Sequence, residues 1–311
     1  MMTNQTGNFS YETIFEEYEI LIIHILFAFF GFTGFLVNII VVAVIIHKRL
    51  MVDLPSSWFV FSLALADAVF SSTGIPAMHG LCTGAPYVFL GVVVEFLTIA
   101  NAGNLLILTF NRFLSVYSSL RYPAFMTPTT AKTLVVAPWA TALMLSAVVW
   151  ISCQAGIHNI LYLLSAYYTT LVVLTSALNI YIFKTARDKR KVTALQQSAV
   201  QELNCKLLDK EFYLSVRLLL VTLTFYGACI PTIVLLYLYP TVHSRETRSF
   251  KRKIIVCFLV SLFNAVLNPF LYTTNQAIFK QYFNNVRNLI FPRRSIGAMY
   301  NTQGRVSVIS Q

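Results

Sequence analysis

FVFSLALADAVFSSTGIPA, residues 59–77, holds a single carboxylate, Asp67, in the middle of an otherwise apolar run. A carboxylate at the centre of a lipid-embedded helix costs about 3 kcal/mol on insertion scales, so it faces a bundle interior and finds partners there. Two other long apolar stretches carry an asparagine in the same predicament, Asn38 and Asn268. Three such helices therefore turn their polar groups toward one shared interior.

Composition agrees with this. Hydrophobic residues make up 57% of the chain and charged residues 11%, with a mean hydropathy of +0.68, which excludes an ordinary soluble domain. A bilayer core of roughly 30 Å needs about 20 mostly apolar residues per helical crossing. Seven stretches qualify: Ile20 to Ile46, Ser56 to Met78, Pro86 to Tyr117, Thr130 to Ser152, Asn159 to Thr185, Glu211 to Tyr239 and Ser249 to Thr274. The expected fold is an all-α membrane protein, a seven-transmembrane helix bundle.

The segment before the first span is polar and acidic, without the basic flank and short apolar run of a cleavable signal. The first span is thus expected to act as its own insertion signal. With the N-terminus outside, all but five of the 23 lysines and arginines fall on the inner side; the exceptions are Arg245, Arg248, Lys251, Arg252 and Lys253. That asymmetry sets the orientation, with the N-terminus outside, and leaves the sequons at Asn4 and Asn8 open to glycosylation. The net charge of +11 is then attraction to anionic membrane lipid and not a nucleic-acid footprint.

The chain divides into an extracellular segment (1–19), the seven-span domain (20–274), a surface helix (275–291) and a disordered cytoplasmic tail (292–311). The surface helix follows from Ile278, Phe279, Tyr282, Phe283, Val286 and Ile290, which recur at steps of three and four with Lys280 and Arg287 between them. The charged, Gln-rich stretch Ala186 to Lys210 reads as helix extensions into the cytosol.

The last span carries Asn268-Pro269-Phe270-Leu271-Tyr272 and the second Leu63-Ala64-Leu65-Ala66-Asp67, while Gly34 and Asn38 mark the first. Trp139 stands in the fourth span, Arg112 at the inner end of the third, and Leu120-Arg121-Tyr122 just after it. Phe225 and Pro231 lie in the sixth span. In this order and spacing the motifs resemble the rhodopsin-like (class A) G-protein-coupled receptors, with a weaker likeness to the melanocortin, cannabinoid and lysophospholipid branch through the very short loop between spans four and five. Proline at 231 and 269 frees backbone carbonyls and bends its helix.

The resemblance implies a receptor that turns binding of an extracellular ligand into activation of a heterotrimeric G protein by outward movement of the sixth helix. Arg112 would be held at rest by Glu211 and released toward Tyr181 and Tyr272, with Leu120, Phe225 and Pro231 as further parts of the coupling apparatus. It also implies an interior polar network of Asn38, Asp67, Asn101, Asn264 and Asn268, in which Asp67 and Asn101 hold either sodium or water alone. Arrestin is a second partner it raises, and Ser295, Thr302, Ser307 and Ser310 are the tail hydroxyls open to phosphorylation.

Departures from the pattern carry information too. Asn111 stands where the family has an acid before Arg112, and Cys229 where it has a tryptophan. Leu262 replaces the lysine that opsins use for retinal, so no retinal cofactor is expected. Val94 replaces the aspartate of amine receptors, yet Glu95 is adjacent, about 100° around the helix. Val94, Glu95, Cys229 and Leu262 are the candidate ligand pocket, with Glu95 either an anchor for a cation or a hydrogen-bonded glutamate facing the second or fifth helix. Cys82 and Cys153 are a candidate extracellular disulfide if the first loop folds over.

The rival class is a membrane transporter or channel. Such proteins line a path with polar groups or build a midplane site from two related halves, and here interior acids are few and no half-repeat is visible. No spaced Ser/His/Asp or metal-ligand cluster points to an enzyme.

Overall fold

The computed structural model describes residues 17–83, 88–118, 120–194, 201–242 and 247–273, with side chains near several helix ends, including Cys82, Glu211 and Tyr272, outside the description. The chain forms two units, Met1–Tyr272 and Thr273–Gln311; the helices below belong to the first, apart from the terminal Thr273. The sequons at Asn4 and Asn8, the expected surface helix 275–291 and the tail lie outside the described residues.

The described residues are helical throughout, with no strand. In chain order they form α1 (Glu17–His47), α2 (Leu50–Asp53), α3 (Ser57–Ser72), α4 (Gly74–Thr83), α5 (Val88–Tyr117), α6 (Tyr122–Phe125), α7 (Pro128–Gln154), α8 (Ile160–Ala194), α9 (Gln201–Val242) and α10 (Thr247–Thr273). Six of these are long and apolar enough to cross a membrane, namely α1, α5, α7, α8, α9 and α10. The seventh crossing is α3 continued by α4. Helices α8 and α9 both run past their apolar portions into the charged stretch between spans five and six.

The second crossing departs from the expected single helix because it breaks at Thr73. Pro76 has no N–H to give to the Ser72 carbonyl, so the regular ladder loses a rung there. The hydroxyls of Ser72 and Thr73 turn back onto their own helix, donating to the Val69 and Phe70 carbonyls at 2.7 Å each. Beyond the break the Ala77 N–H bonds the Thr73 carbonyl at 2.9 Å and the helix resumes.

Lipid is the outer solvent, so large apolar side chains such as Phe29, Phe32, Leu143 and Met144 point outward, and the interior collects small and polar residues instead. Asn38, Ser62, Asp67, Asn104, Thr175, Thr222 and Asn268 are all buried. Two glycines permit the helices to come this close. A Cβ at Gly34 would meet the Ser71 Oγ at 2.5 Å, and one at Gly103 the Pro138 Cβ at 2.8 Å.

Apolar residues fill the remaining interior in two clusters. One joins α5, α7, α8 and α9 through Ile99, Leu105, Ala142, Leu164, Tyr168 and Phe225. The other joins α1, α3, α5 and α10 through Phe27, Phe70, Leu97 and Leu262, with Phe258 packed edge-on against Phe27 and Phe70 at centroid separations of 5.4 and 5.2 Å. At the outer side α7 turns into α8 within five residues, and Gly156, at φ 75°, supplies the left-handed step of that reversal.

Replacing Gly34 by alanine is expected to destabilise the α1–α3 contact by about 1–3 kcal/mol, read as a lower Tm in detergent. Adding Ser71→Ala removes the clashing hydroxyl and is expected to recover most of the loss; a double variant no more stable than Gly34→Ala alone would show that the close approach does not limit stability.

Candidate functional site

Proline 269 lies inside α10, and lacking an N–H it leaves the Ala265 carbonyl, one turn earlier, without its helical donor. The Asn38 amide fills that gap from α1, donating to the Ala265 carbonyl at 3.0 Å and to its own Gly34 carbonyl at 2.9 Å. One residue before the proline, the Asn268 amide donates to Asp67 Oδ2 at 2.9 Å. The three polar residues that the sequence singled out therefore meet at one place, across the first, second and seventh spans.

Beside this contact lies a cavity of about 40 Å³, walled by Asp67, Thr98, Asn101, Tyr168, Phe225, Cys229, Ser261 and Asn264 among others. That volume is large enough for ordered water. Its wall carries free acceptors: Oδ1 of Asn101 and of Asn264 are buried and take no hydrogen bond from the protein, and the same holds for Asn268 Oδ1 and Ser71 Oγ elsewhere in the bundle interior. Amide oxygens around one carboxylate are the donor set of a hard cation. Among the described residues no group of three or more His, Cys, Asp or Glu could hold a metal ion, so a transition metal has no matching ligands there.

Two further polar contacts tie neighbouring spans, and the motifs did not announce them. Trp139 Nε1 donates to Ser62 Oγ at 2.8 Å, and Ser62 donates on to Asn104 Oδ1 at 2.8 Å, linking spans four, two and three. Between spans five and six, the Tyr226 hydroxyl bonds Thr175 at 2.9 Å, Ser176 at 2.6 Å and the Val172 carbonyl at 3.1 Å. One turn further in, Asn179 Nδ2 donates to Thr222 Oγ1 at 2.9 Å. The available signal was periodic: polar residues at one-turn spacing, 175, 176 and 179 against 222 and 226, inside consecutive apolar spans.

At the inner end, the short helix α6 is pinned to the third span by Tyr122, whose hydroxyl donates to the buried Asn111 Oδ1 at 2.8 Å. Burial pushes the Tyr122 phenol above its ordinary range, while the nearby Arg112 guanidinium and the Asn111 bond pull the other way. Tyr122 therefore stays protonated and keeps donating at physiological pH. Tyr181 rests against Phe113 and Tyr117, at 5.1 and 6.2 Å between ring centroids. Lys189 of α8 donates to the Val116 carbonyl at 3.2 Å, a cation at the C-terminal end of the third span. Leu120 is 97% exposed. The side chains of Glu211 and Tyr272 lie outside the described residues.

At the outer end, the Tyr168 hydroxyl donates to Glu95 Oε1 at 3.2 Å, so Glu95 faces the fifth span. Among the other candidate pocket residues, Cys229 lines the cavity, whereas Leu262 is fully buried in the apolar cluster against Phe27 and Val94 packs at the edge of that cluster. Cys153 is a free cysteine, and the side chain of Cys82, its candidate partner, lies outside the described residues. Of the outer basic residues, Arg252 pairs with Glu19 of α1 at 3.1 Å, partly exposed and so of modest strength.

A seven-span helical bundle with a buried polar centre is the architecture of a multi-pass membrane protein. The sequence profile of the 7 transmembrane receptor (rhodopsin family) matches residues 37–272, and the chain belongs to that family; it is a signalling receptor and not an enzyme. It is similar to human olfactory receptor 6C6, 23% identical over 90% of this chain and 94% of that one. It is also similar to melanocortin receptor 4 of Danio rerio, 28% identical over 57% of this chain and 58% of the relative, and to human olfactory receptor 2AT4, 29% identical over 34% and 35%. The match thus spans about a third of olfactory receptor 2AT4 and less than two thirds of melanocortin receptor 4.

Tyr226→Phe removes the hydroxyl that bonds Thr175, Ser176 and Val172. The expected cost is about 0.6–1.7 kcal/mol, the range for side-chain hydrogen bonds between membrane helices, measured as a lower midpoint of unfolding. An unchanged midpoint would mean that these bonds do not stabilise the pairing of α8 with α9.

Proposed function

We propose that the protein is a plasma-membrane G-protein-coupled receptor with its N-terminus outside, in which an extracellular ligand biases the bundle toward a form that opens a G-protein cleft at the inner end. The observation that carries this reading is the meeting of Asn38, Asp67 and Asn268 beside a cavity whose wall includes Asp67, Asn101, Ser261 and Asn264. A hydrated pivot at a proline-broken helix can take two arrangements without leaving backbone groups bare, which a fully apolar core cannot.

In this account Asp67 and the amide oxygens of Asn101, Asn264 and Asn268 hold a sodium ion in the resting form. Arg112, restrained at rest by Glu211, becomes the inner contact for the G protein together with Leu120, and Tyr181 and Tyr272 take over Arg112 in the active form. Because Tyr226 and Asn179 tie spans five and six in mid-membrane, the inner part of span six moves with span five instead of alone. Phe225 and Pro231 are the bearing and the bend of that motion. Moving the equilibrium from mostly off to mostly on takes about 5.5 kcal/mol of differential ligand affinity. Arrestin is the second inner partner, and no observation favours a transporter or channel.

The test is a second-messenger assay in cells expressing the full chain, scanned across the G-protein classes. Basal or serum-evoked signalling is expected, and Arg112→Ala is expected to remove it while surface delivery persists. Currents or solute uptake without any G-protein signal would contradict the reading. Sodium is expected to raise the unfolding midpoint of the purified chain, and Asp67→Asn to abolish that dependence; equal sodium sensitivity in both chains would contradict the ion assignment.

A further inference from the structure

Among the described residues, Glu95 is the one acidic side chain within the apolar spans in their outer half, Glu19 lying just before the apolar part of α1 and paired with Arg252. Its carboxylate takes a single hydrogen bond, from Tyr168 to Oε1 at 3.2 Å, which leaves Oε2 without a protein donor. A carboxylate so placed is half satisfied, and a charge in such surroundings calls for a counter-charge. A neutral ligand leaves that need unmet, and an anionic one worsens it.

What lies below Glu95 makes the position more than a local curiosity of packing. Glu95, Thr98 and Asn101 follow one another at three-residue steps along α5, close together on its surface and spanning about 9 Å of helix rise. Thr98 and Asn101 line the same cavity as Asp67, and so does the ring of Tyr168, itself only 1% exposed. A polar strip therefore leads from the outer acid to the cavity walled by the central one, and Tyr168 bonds Glu95 at its outer end and lines that cavity at the other. The same cavity presents two buried acceptors without donors, Asn101 Oδ1 and Asn264 Oδ1.

Building on the receptor reading above, we propose that Glu95 anchors the ammonium group of a protonated-amine ligand and that Tyr168 carries its arrival to the cavity. The ammonium N–H groups form short charge-assisted bonds with the carboxylate and supplant the longer bond from Tyr168. The freed phenol hydroxyl then has acceptors available in the cavity wall, and its turn toward them rearranges the polar centre around Asp67. The ligand class is thus set by charge at Glu95, and the response by the hydroxyl of Tyr168.

A tethered cation tests this with no need to know the natural ligand. Gly91 lies one turn outward of Glu95 on α5, and a Cβ there meets nothing within 4 Å, so Gly91→Cys adds a thiol without disturbing packing; Val92→Cys gives a second tether at three residues' distance. Each full-length variant, in a Cys153→Ser background, is treated in cells with 2-aminoethyl methanethiosulfonate (cationic), methyl methanethiosulfonate (neutral) or 2-sulfonatoethyl methanethiosulfonate (anionic). The chain lacking the introduced cysteine, treated alike, sets the background. The cationic reagent is expected to raise G-protein signalling severalfold while the other two do not, and adding Glu95→Gln or Tyr168→Phe is expected to remove the difference. Equal responses to all three reagents, or a cation response that survives Glu95→Gln, would overturn the assignment. Signalling by the untreated chain that Arg112→Ala removes keeps the two questions apart: if it is present and the reagents act alike, Glu95 is not the anchor, whereas its absence in every G-protein class strikes the receptor reading itself.

Discussion

A carboxylate placed in hydrocarbon has to be answered by the protein, and here the Asn268 amide answers Asp67 at 2.9 Å. That requirement draws the second and seventh spans together at one height. A second shortage sits one residue away, where Pro269 deprives the Ala265 carbonyl of its helical donor and Asn38 supplies one from the first span. Each polar group is explained by the deficit of another, so the three helices share a single register. Sliding one of them by a turn would leave a charge and a carbonyl bare at several kcal/mol each.

The rest of the packing follows from the medium. Apolar side chains gain little by leaving lipid for the protein interior, so helices associate through close backbone approach and hydrogen bonds. Gly34 under Ser71 and Gly103 under Pro138 provide the first. Trp139, Ser62 and Asn104 provide the second among spans two to four, as do Tyr226 and Asn179 between spans five and six. These bonds divide the bundle into tied groups that meet at the cavity beside Asp67. A receptor needs such an arrangement, because groups that are rigid within themselves and joined by hydrated contacts can shift against each other as bodies.

Much of this was legible in residues 1–311 because membranes make polarity conspicuous. Asp67, Asn38 and Asn268 stand out in apolar runs, the spans follow from length and hydropathy, and the family motifs place Arg112 and Trp139. Less visible were features that depend on pairing. Nothing in the one-dimensional pattern says that the second span breaks at Thr73, since Pro76 in a helix can bend it or merely sit near its end. Thr175, Ser176 and Asn179 look like neutral members of an apolar helix until Tyr226 and Thr222 come opposite them. Leu262, aligned with a pocket position, belongs to the apolar cluster against Phe27, because side-chain direction depends on helix rotation, which spacing leaves free.

The central claim is that the acid of span two and the amide of span seven act as one hydrogen-bonded pair. The direct measurement is G-protein signalling, normalised to surface expression, for Asp67→Asn, Asn268→Asp and the reciprocal double variant. Each single change leaves two acids or two amides facing each other and is predicted to lose most of the signal, while the exchange restores an acid–amide pair and with it a large part of the activity. A double variant as silent as the worse single one, or single variants that signal normally, would contradict the account.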